Sequence, residues 1–409
     1  MSQHGELGPG ADPSLPLEVP RVALVMVAIG DLSSSGGAER QFSDLFEHFR
    51  QMGPRRVTFI TARASLMRLR QAGRLLQTEG VVALPLGSAP ARGRASVAWM
   101  TALLIVVTLW RRFDLVHLCL PTPSYVPFAA FISRLPRAIR PQVVLNVIDC
   151  TLAANLRIRQ PEDPYERQVV EAHRLYFRWV RLDGIYTWYE AFADVCRAAR
   201  LVRENTVVRA ARYCFTDPLR FHPDRHKQPV IVFAGRLSEQ KRPWLFVEAV
   251  ARLRDHLPEV IRGWRFEMYG GGLLEARIRE MIDSYGLGDL LTLSRTPDLS
   301  AVFARTRLFV STQAFENFTS LAMLEAMAAG NAVIGEDVGQ TREFVRHGEN
   351  GLLATAGTRE GFADAIEQYV RHPEWHDRMA AASRQLATDV HTVQHFAADI
   401  AGFWREVVR

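Results

Sequence analysis

Residues 21–30, RVALVMVAIG, form a nearly unbroken apolar run rich in β-branched side chains. The run closes in a Gly-, Asp- and Ser-rich loop, and the helical stretch GAERQFSDLFEHFR follows. A strand covered on both faces reads as a continuous apolar run, so this stretch predicts a buried parallel strand feeding a crossover helix. RVTFIT, DLVHLCL and QVVLNVID repeat the strand signature, with helical stretches between them. Such alternation predicts an open α/β sheet.

A second series begins at PVIVFAGR, residues 229–236, and continues through RFEMYGGG, LLTLS, RLFVST and NAVIG, again alternating with helices. The 409 residues are too many for one compact core and suit two domains. The expected fold class is therefore α/β, with two doubly wound, Rossmann-like domains. Between the two series FTDPLRFHPDRHKQP carries three prolines and few apolar residues, as an interdomain linker would. The expected organisation is a loose tail over 1–20, a first domain over 21–215, a linker over 216–229, a second domain over 230–385, and C-terminal helices over 386–409 that pack back on the first domain. No repeat of solenoid period is present.

VAWMTALLIVVTLW, residues 97–110, is uncharged but short of the roughly 20 residues that span a bilayer. It reads either as a buried helix or as one lying in a membrane interface. Charge is unevenly distributed: residues 1–225 hold 29 Lys and Arg against 20 Asp and Glu, and between Gln51 and Ile148 thirteen Arg meet only Glu79 and Asp114. This bias suits an anionic partner, whether a membrane surface, a phosphorylated lipid carrier or an acidic glycan, and equally suits a solvated face in an Arg-rich composition. No recognition motif for nucleic acid accompanies the charge. The four cysteines, Cys119, Cys150, Cys196 and Cys214, are scattered without a CxxC pair, which argues against a disulfide framework or zinc site and for a reducing compartment.

Ligands of doubly wound sheets bind beyond the carboxyl ends of the strands, so two such domains are expected to share a central cleft as the site. Arg236 and Lys241 flank the loop after the strand VIVFAG. Only Lys227 and Lys241 among the 50 basic residues are lysines, and a compact ammonium suits a single phosphate oxygen. In FENFTSLAMLEAMAAGNAVIG, residues 315–335, Leu321, Leu324 and Ala328 form a helical stripe with Glu325 beside or within it. Thr319 or Ser320 can cap that helix and turn its positive end toward an anion such as a diphosphate. A carboxylate among apolar residues needs donors. Ribose hydroxyls would serve, and so would an arginine or the backbone. His117 in DLVHL reads as a core histidine.

Together GGAERQFSDL, VFAGRLSEQKRP, FEMYGGG and ENFTSLAMLEAMAAGNAVIGEDVGQTREFVRHGENGLL resemble the retaining nucleotide-sugar glycosyltransferases of the large family 4 group, which have the GT-B fold. The resemblance runs from about residue 21 onward and is densest over 229–354. It implies a hexosyltransferase of polysaccharide biosynthesis. The donor would be a nucleotide-diphosphate sugar, the acceptor a glycan or lipid-linked acceptor, and no further cofactor would be needed.

By that pattern Arg236 and Lys241 hold the pyrophosphate and act in catalysis, Glu325 holds the ribose, and Glu316 sits by the transferred sugar. Gly36 and Gly37 admit the donor to the first loop, Gly270 and Gly271 serve the strand end near the nucleotide, and Thr319, Ser320 and Leu321 form the helix start. Two departures stand out. Glu316 and Glu325 lie one residue further apart than the family's usual pair, with Asn317 at the usual first position. In NVID, Ile148 stands where relatives often place a donor-contacting His, and Asp149 follows as a residue that would contact sugar or acceptor. Without an Asp-x-Asp triplet or a His cluster no metal site is expected. The implied location is cytoplasmic, in peripheral contact with an anionic membrane. A non-catalytic nucleotide-sugar-binding protein and a sugar-nucleotide epimerase are the alternatives.

Overall fold

The computed structural model describes residues 19–27, 37–52, 56–71, 73–75, 77–87, 93–120, 122–147, 164–198, 200–314, 320–355 and 357–409. The chain divides into two compact units, one of residues 1–213 with 393–409 and one of residues 214–392.

The first unit is built on a parallel sheet of seven strands: β1 (Val22–Val25), β2 (Val57–Ala62), β3 (Val81–Leu84), β4 (Leu115–Leu118), β5 (Gln142–Val147), β6 (Gly184–Thr187) and β7 (Val207–Ala210). Their order is β3-β2-β1-β4-β5-β6-β7. β1 pairs on both sides, Val22 standing opposite Val57 and Leu115, and every residue of β1, β2 and β4 is buried. Coverage of both faces accounts for the continuous apolar runs.

The helix Val393–Val408 belongs to this unit. Its buried residues Phe396, Ile400, Phe403, Trp404 and Val407 recur at three and four, a single stripe laid on the core. Trp404 Nε1 donates to His117 Nδ1 over 3.0 Å, and Tyr186 Oη donates to Asp399 Oδ2 over 2.7 Å. A Cβ at Gly184 would stand 2.7 Å from Val407, so a glycine on β6 is what lets the helix close.

The second unit is a parallel sheet of six strands: β8 (Val230–Ala234), β9 (Arg265–Tyr269), β10 (Leu291–Ser294), β11 (Leu308–Ser311), β12 (Ala332–Glu336) and β13 (Gly351–Ala354), ordered β10-β9-β8-β11-β12-β13. Along β8, Ile231 and Phe233 enter one core cluster while Val232 and Ala234 enter the cluster on the other face. This is the two-residue alternation of a strand buried on both sides.

Two sequence expectations need correction. Residues 216–229 are part of the second unit rather than a linker outside it. Phe221 is buried in that unit's core with Cys214, Gln228 N donates to Arg305 O over 2.7 Å, and Lys227 Nζ donates to the carbonyls of Phe303 and Thr306. One anchored aromatic ring and a few backbone bonds fasten a segment whose composition looks like a linker. Secondly, the helix Arg94–Arg111 is not a core helix, because only Met100, Leu104 and Thr108 along it are buried.

Candidate functional site

In the second sheet the chain runs outward from β8 first through β9 and β10, then through β11, β12 and β13, so the order reverses between β8 and β11. A parallel sheet opens a crevice beyond its carboxyl ends at such a reversal. The segments bordering it are those that leave β8 and β11, residues 235–242 and 312–314.

These two segments are tied together around Arg242. Its backbone is left-handed, at φ 43° and ψ 51°. That conformation costs a residue with a Cβ about 1–2 kcal/mol. The guanidinium offsets the cost by donating from Nε to Thr312 O (2.9 Å) and from Nη2 to Gln313 O (3.0 Å), and by pairing with Glu336 at the end of β12. Thr312 Oγ1 returns a donor to the carbonyls of Lys241 (2.7 Å) and Arg242 (2.9 Å), and Ala314 N donates to Gln240 O over 3.0 Å. Pro243 then opens the helix Pro243–His256, its ring suited to a first-turn position that has no helical acceptor for an N–H.

At the centre of this knot Lys241 Nζ donates to Gln313 Oε1. The acceptor is a side-chain amide oxygen, and the bond fixes the direction of the ammonium. Gln313 is itself buried and its backbone is held by Arg242, which fixes the bond's geometry from both sides. Arg236 is exposed at the end of β8. Gln313, Thr312, Arg242 and Glu336 form this border of the crevice and were missed by sequence reasoning. Only the neighbouring Lys241-Arg242 pair signalled any of them.

The glycines after β9 have a reason in the backbone. A Cβ at Gly270 would lie 1.9 Å from Gly235 O, and one at Gly272 would lie 2.5 Å from Leu237 O. These loops touch main chain to main chain, with Gly235 N donating to Tyr269 O and Leu237 N to Gly271 O, each over 3.0 Å. At Gly271 an added Cβ would meet the movable guanidinium of Arg295 at 2.8 Å. Gly270 and Gly272 therefore keep the segment after β8 pressed to its neighbour, which sets where Arg236 and Lys241 begin.

The helix Leu321–Ala328 starts at Ser320, whose side chain makes no capping bond, contrary to one of the two caps expected. The stripe reading is also corrected: after Leu321 and Ala322 every residue through Ala328 is buried, so the helix is covered all round. Glu325 is 5% exposed and, among the described residues, is the one Asp or Glu in the second unit that is buried as a whole residue. Its neighbours Leu324 and Ala326 lie in the apolar cluster behind β11 and β12.

Glu316, Thr319, Gly36 and Asp149 lie outside the described residues; Gly37 opens the helix Gly37–Gln51 in the first unit. His117 is a core residue. It is wholly buried between Phe42 and Trp404, and burial pushes its pKa down to about 3, so it stays neutral. Among the described residues no group of three or more His, Cys, Asp or Glu is placed to hold a metal ion.

Residues 217–386 match the family model described as glycosyl transferases group 1. Among curated proteins, a D-inositol 3-phosphate glycosyltransferase from Stackebrandtia nassauensis is 29% identical over 188 residues, which are 44% of this chain and 42% of that protein. The chain spans less than half the length of the first curated relatives it matches. A sucrose-phosphate synthase from Thermosynechococcus elongatus superposes with a TM-score of 0.72 at 17% identity, covering 94% of this chain and 98% of that one. HepE of Anabaena, solved in complex with UDP and glucose, superposes with a TM-score of 0.68 at 17% identity, covering 94% and 99%. At these identities the structural likeness shows the fold, which is that of the GT-B glycosyltransferases. The matched segment contains the whole knot around Arg242.

Proposed function

We propose that this chain is a retaining, metal-independent glycosyltransferase of the family 4 group. It moves a hexosyl unit from a nucleotide-diphosphate sugar to a glycan or lipid-linked acceptor, in the cytoplasm and in peripheral contact with an anionic membrane. The observation that carries this reading is the ammonium of Lys241, aimed by Gln313 and Arg242 at the switch point of the second sheet, within the segment similar to glycosyl transferases group 1.

When the bond between the sugar's anomeric carbon and the diphosphate breaks, its electron pair goes to a phosphate oxygen and the sugar becomes oxocarbenium-like. The acceptor hydroxyl then bonds to the anomeric carbon on the face the diphosphate left, and its proton passes to the departing phosphate oxygen. Lys241 and Arg236 meet the charge that grows on the leaving group, with the amino end of the helix Leu321–Ala328 beside them. Donors held in place before reaction stabilise that charge without reorganising. Glu325 accepts from the ribose hydroxyls, Glu316 stands by the sugar, and Gly36, Gly37, Gly270 and Gly271 leave room for the donor. Asp149 contacts sugar or acceptor.

The test pairs a thermal-shift screen of nucleotide-diphosphate sugars with transfer assays in chelator. A true donor raises the melting temperature, since it binds only the folded state. Lys241→Ala lowers turnover by roughly 100- to 1,000-fold, the usual loss of one preorganised donor. Unchanged turnover in the folded variant removes Lys241 from the mechanism. Donor binding with neither transfer nor hydrolysis would make the protein a binding module, and a strict need for a divalent ion would overturn metal independence.

A further inference from the structure

The helix Arg94–Arg111 contradicts a general rule. A helix apolar around its whole circumference is ordinarily buried. This one carries no charge between Arg94 and Arg111, and among the described residues it is the one helix long and apolar enough to cross a bilayer, yet it shows most of its surface. Met100, Leu104 and Thr108, four apart, form the face turned to the unit's core. The remainder is open: Trp99 is 56% exposed, Val106 63% and Trp110 75%. A groove of about 700 Å³ runs along the helix to Pro127, lined by Val97, Ala98, Thr101, Ala102 and Ile105.

The apolar surface continues beyond this helix. The helix Val126–Ile132 packs against it and in turn against the helix Pro164–Trp179, and these add exposed Phe131 and Trp179. Arginines stand with the aromatic side chains. The Arg111 guanidinium lies 5.2 Å from the Trp110 ring and that of Arg178 lies 5.1 Å from the Trp179 ring, while Arg134 donates to Trp179 O over 2.6 Å. No acidic residue occurs between Glu79 and Asp114.

We infer that this face is the surface by which the protein lies on an anionic bilayer, with the helix Arg94–Arg111 in the interface plane. The inference deepens the proposed membrane contact and rests on it, and is independent of the donor chemistry. Because the core-facing stripe anchors the helix to the unit, the opposite side enters the lipid instead of the whole helix crossing it. Interfacial helices bury such a side about 5–10 Å into the boundary between headgroups and acyl chains. Tryptophan favours that depth because its ring is apolar and its N–H is not, while arginines at the margin attract anionic headgroups. Acyl chains fill the groove beside Pro127. A second copy of this chain is a poorer cover, since two such faces would set Arg94, Arg111 and Arg112 against one another with no acid in the same stretch to pair them.

The test is co-sedimentation of the full chain with phosphatidylglycerol–phosphatidylcholine vesicles, without any nucleotide sugar, compared with pure phosphatidylcholine. The wild type binds the mixed vesicles, and high salt releases it. Trp99→Ser with Trp110→Ser lowers binding at least tenfold while the melting temperature and donor binding stay as in the wild type, since both side chains are exposed. Arg94→Gln with Arg111→Gln lowers binding roughly tenfold or more and removes much of its salt dependence. If the wild type ignores the mixed vesicles, the membrane reading itself fails. If it binds them and the tryptophan variant binds equally, that reading stands and this face is the wrong surface. A wild-type dimer that the tryptophan variant converts to monomer, with unaltered vesicle binding, would assign the face to a second copy.

Discussion

Two apolar helices, one in each unit, break the same rule in opposite directions. Leu321–Ala328 is buried all round beyond its first turn and nevertheless holds a carboxylate, Glu325. Arg94–Arg111 has no charge between its ends and nevertheless lies mostly in the open. Hydropathy by itself says neither where a helix goes nor what it touches. A charge kept where burial penalises it has to be held by hydrogen bonds, and apolar surface kept where water penalises it asks for a medium of low dielectric.

Stability measurements give the largest contrast between the two. Leu324→Ala should destabilise the protein by about 2–5 kcal/mol, since it opens a cavity in a packed core. Val106→Ser on the exposed helix should stay within roughly 0.5 kcal/mol. Similar losses at both sites in denaturant titrations would erase the distinction. For Glu325 the contrast lies in binding. Glu325→Gln keeps the shape and removes the charge, and should weaken donor affinity about 10- to 100-fold, the worth of hydrogen bonds to an ionised group. Calorimetry showing undiminished affinity together with a lower melting temperature would make the carboxylate structural.

A further contrast concerns the other charge beside the same core. Burial pushes the Lys227 ammonium down to about 7, Asp224 opposing the shift and Arg307 adding to it. The unfolded chain therefore binds the proton more tightly, and stability is lost as pH falls from the lysine's ordinary 10.5 toward 7. Lys227→Met should flatten melting temperature against pH across that window. A slope equal to the wild type's would show that other groups titrate there.

How much of this was legible follows from how far each signal reaches along the chain. β1 and β8 announce themselves because both faces are covered and every residue is apolar. β6, β7 and β13 are no shorter than β1, but each carries a glycine or a charge where β1 is wholly apolar, so none reads as a continuous apolar run. Glu325 was visible as an anomaly in an apolar segment, and Lys241 as one of two lysines in an arginine-rich chain. The bonds linking Arg242 to Thr312, Gln313 and Glu336 join residues about 70 to 94 positions apart and leave no local pattern. Proline content misled at 216–229, because composition reports how little a segment can bury, and one buried ring, Phe221, is enough to anchor it to the second unit.

The return of the helix Val393–Val408 to the first unit makes the second unit an insertion within the first. During synthesis residues 214–392 are complete and contiguous while the first sheet still lacks the side chains of Phe403 and Trp404 that finish its core. The order of maturation should then run against the order of the genetic message, the later-encoded unit settling first. Until its missing helix arrives, the earlier-made one keeps a sticky flank exposed to chaperones and to its neighbours on the polysome.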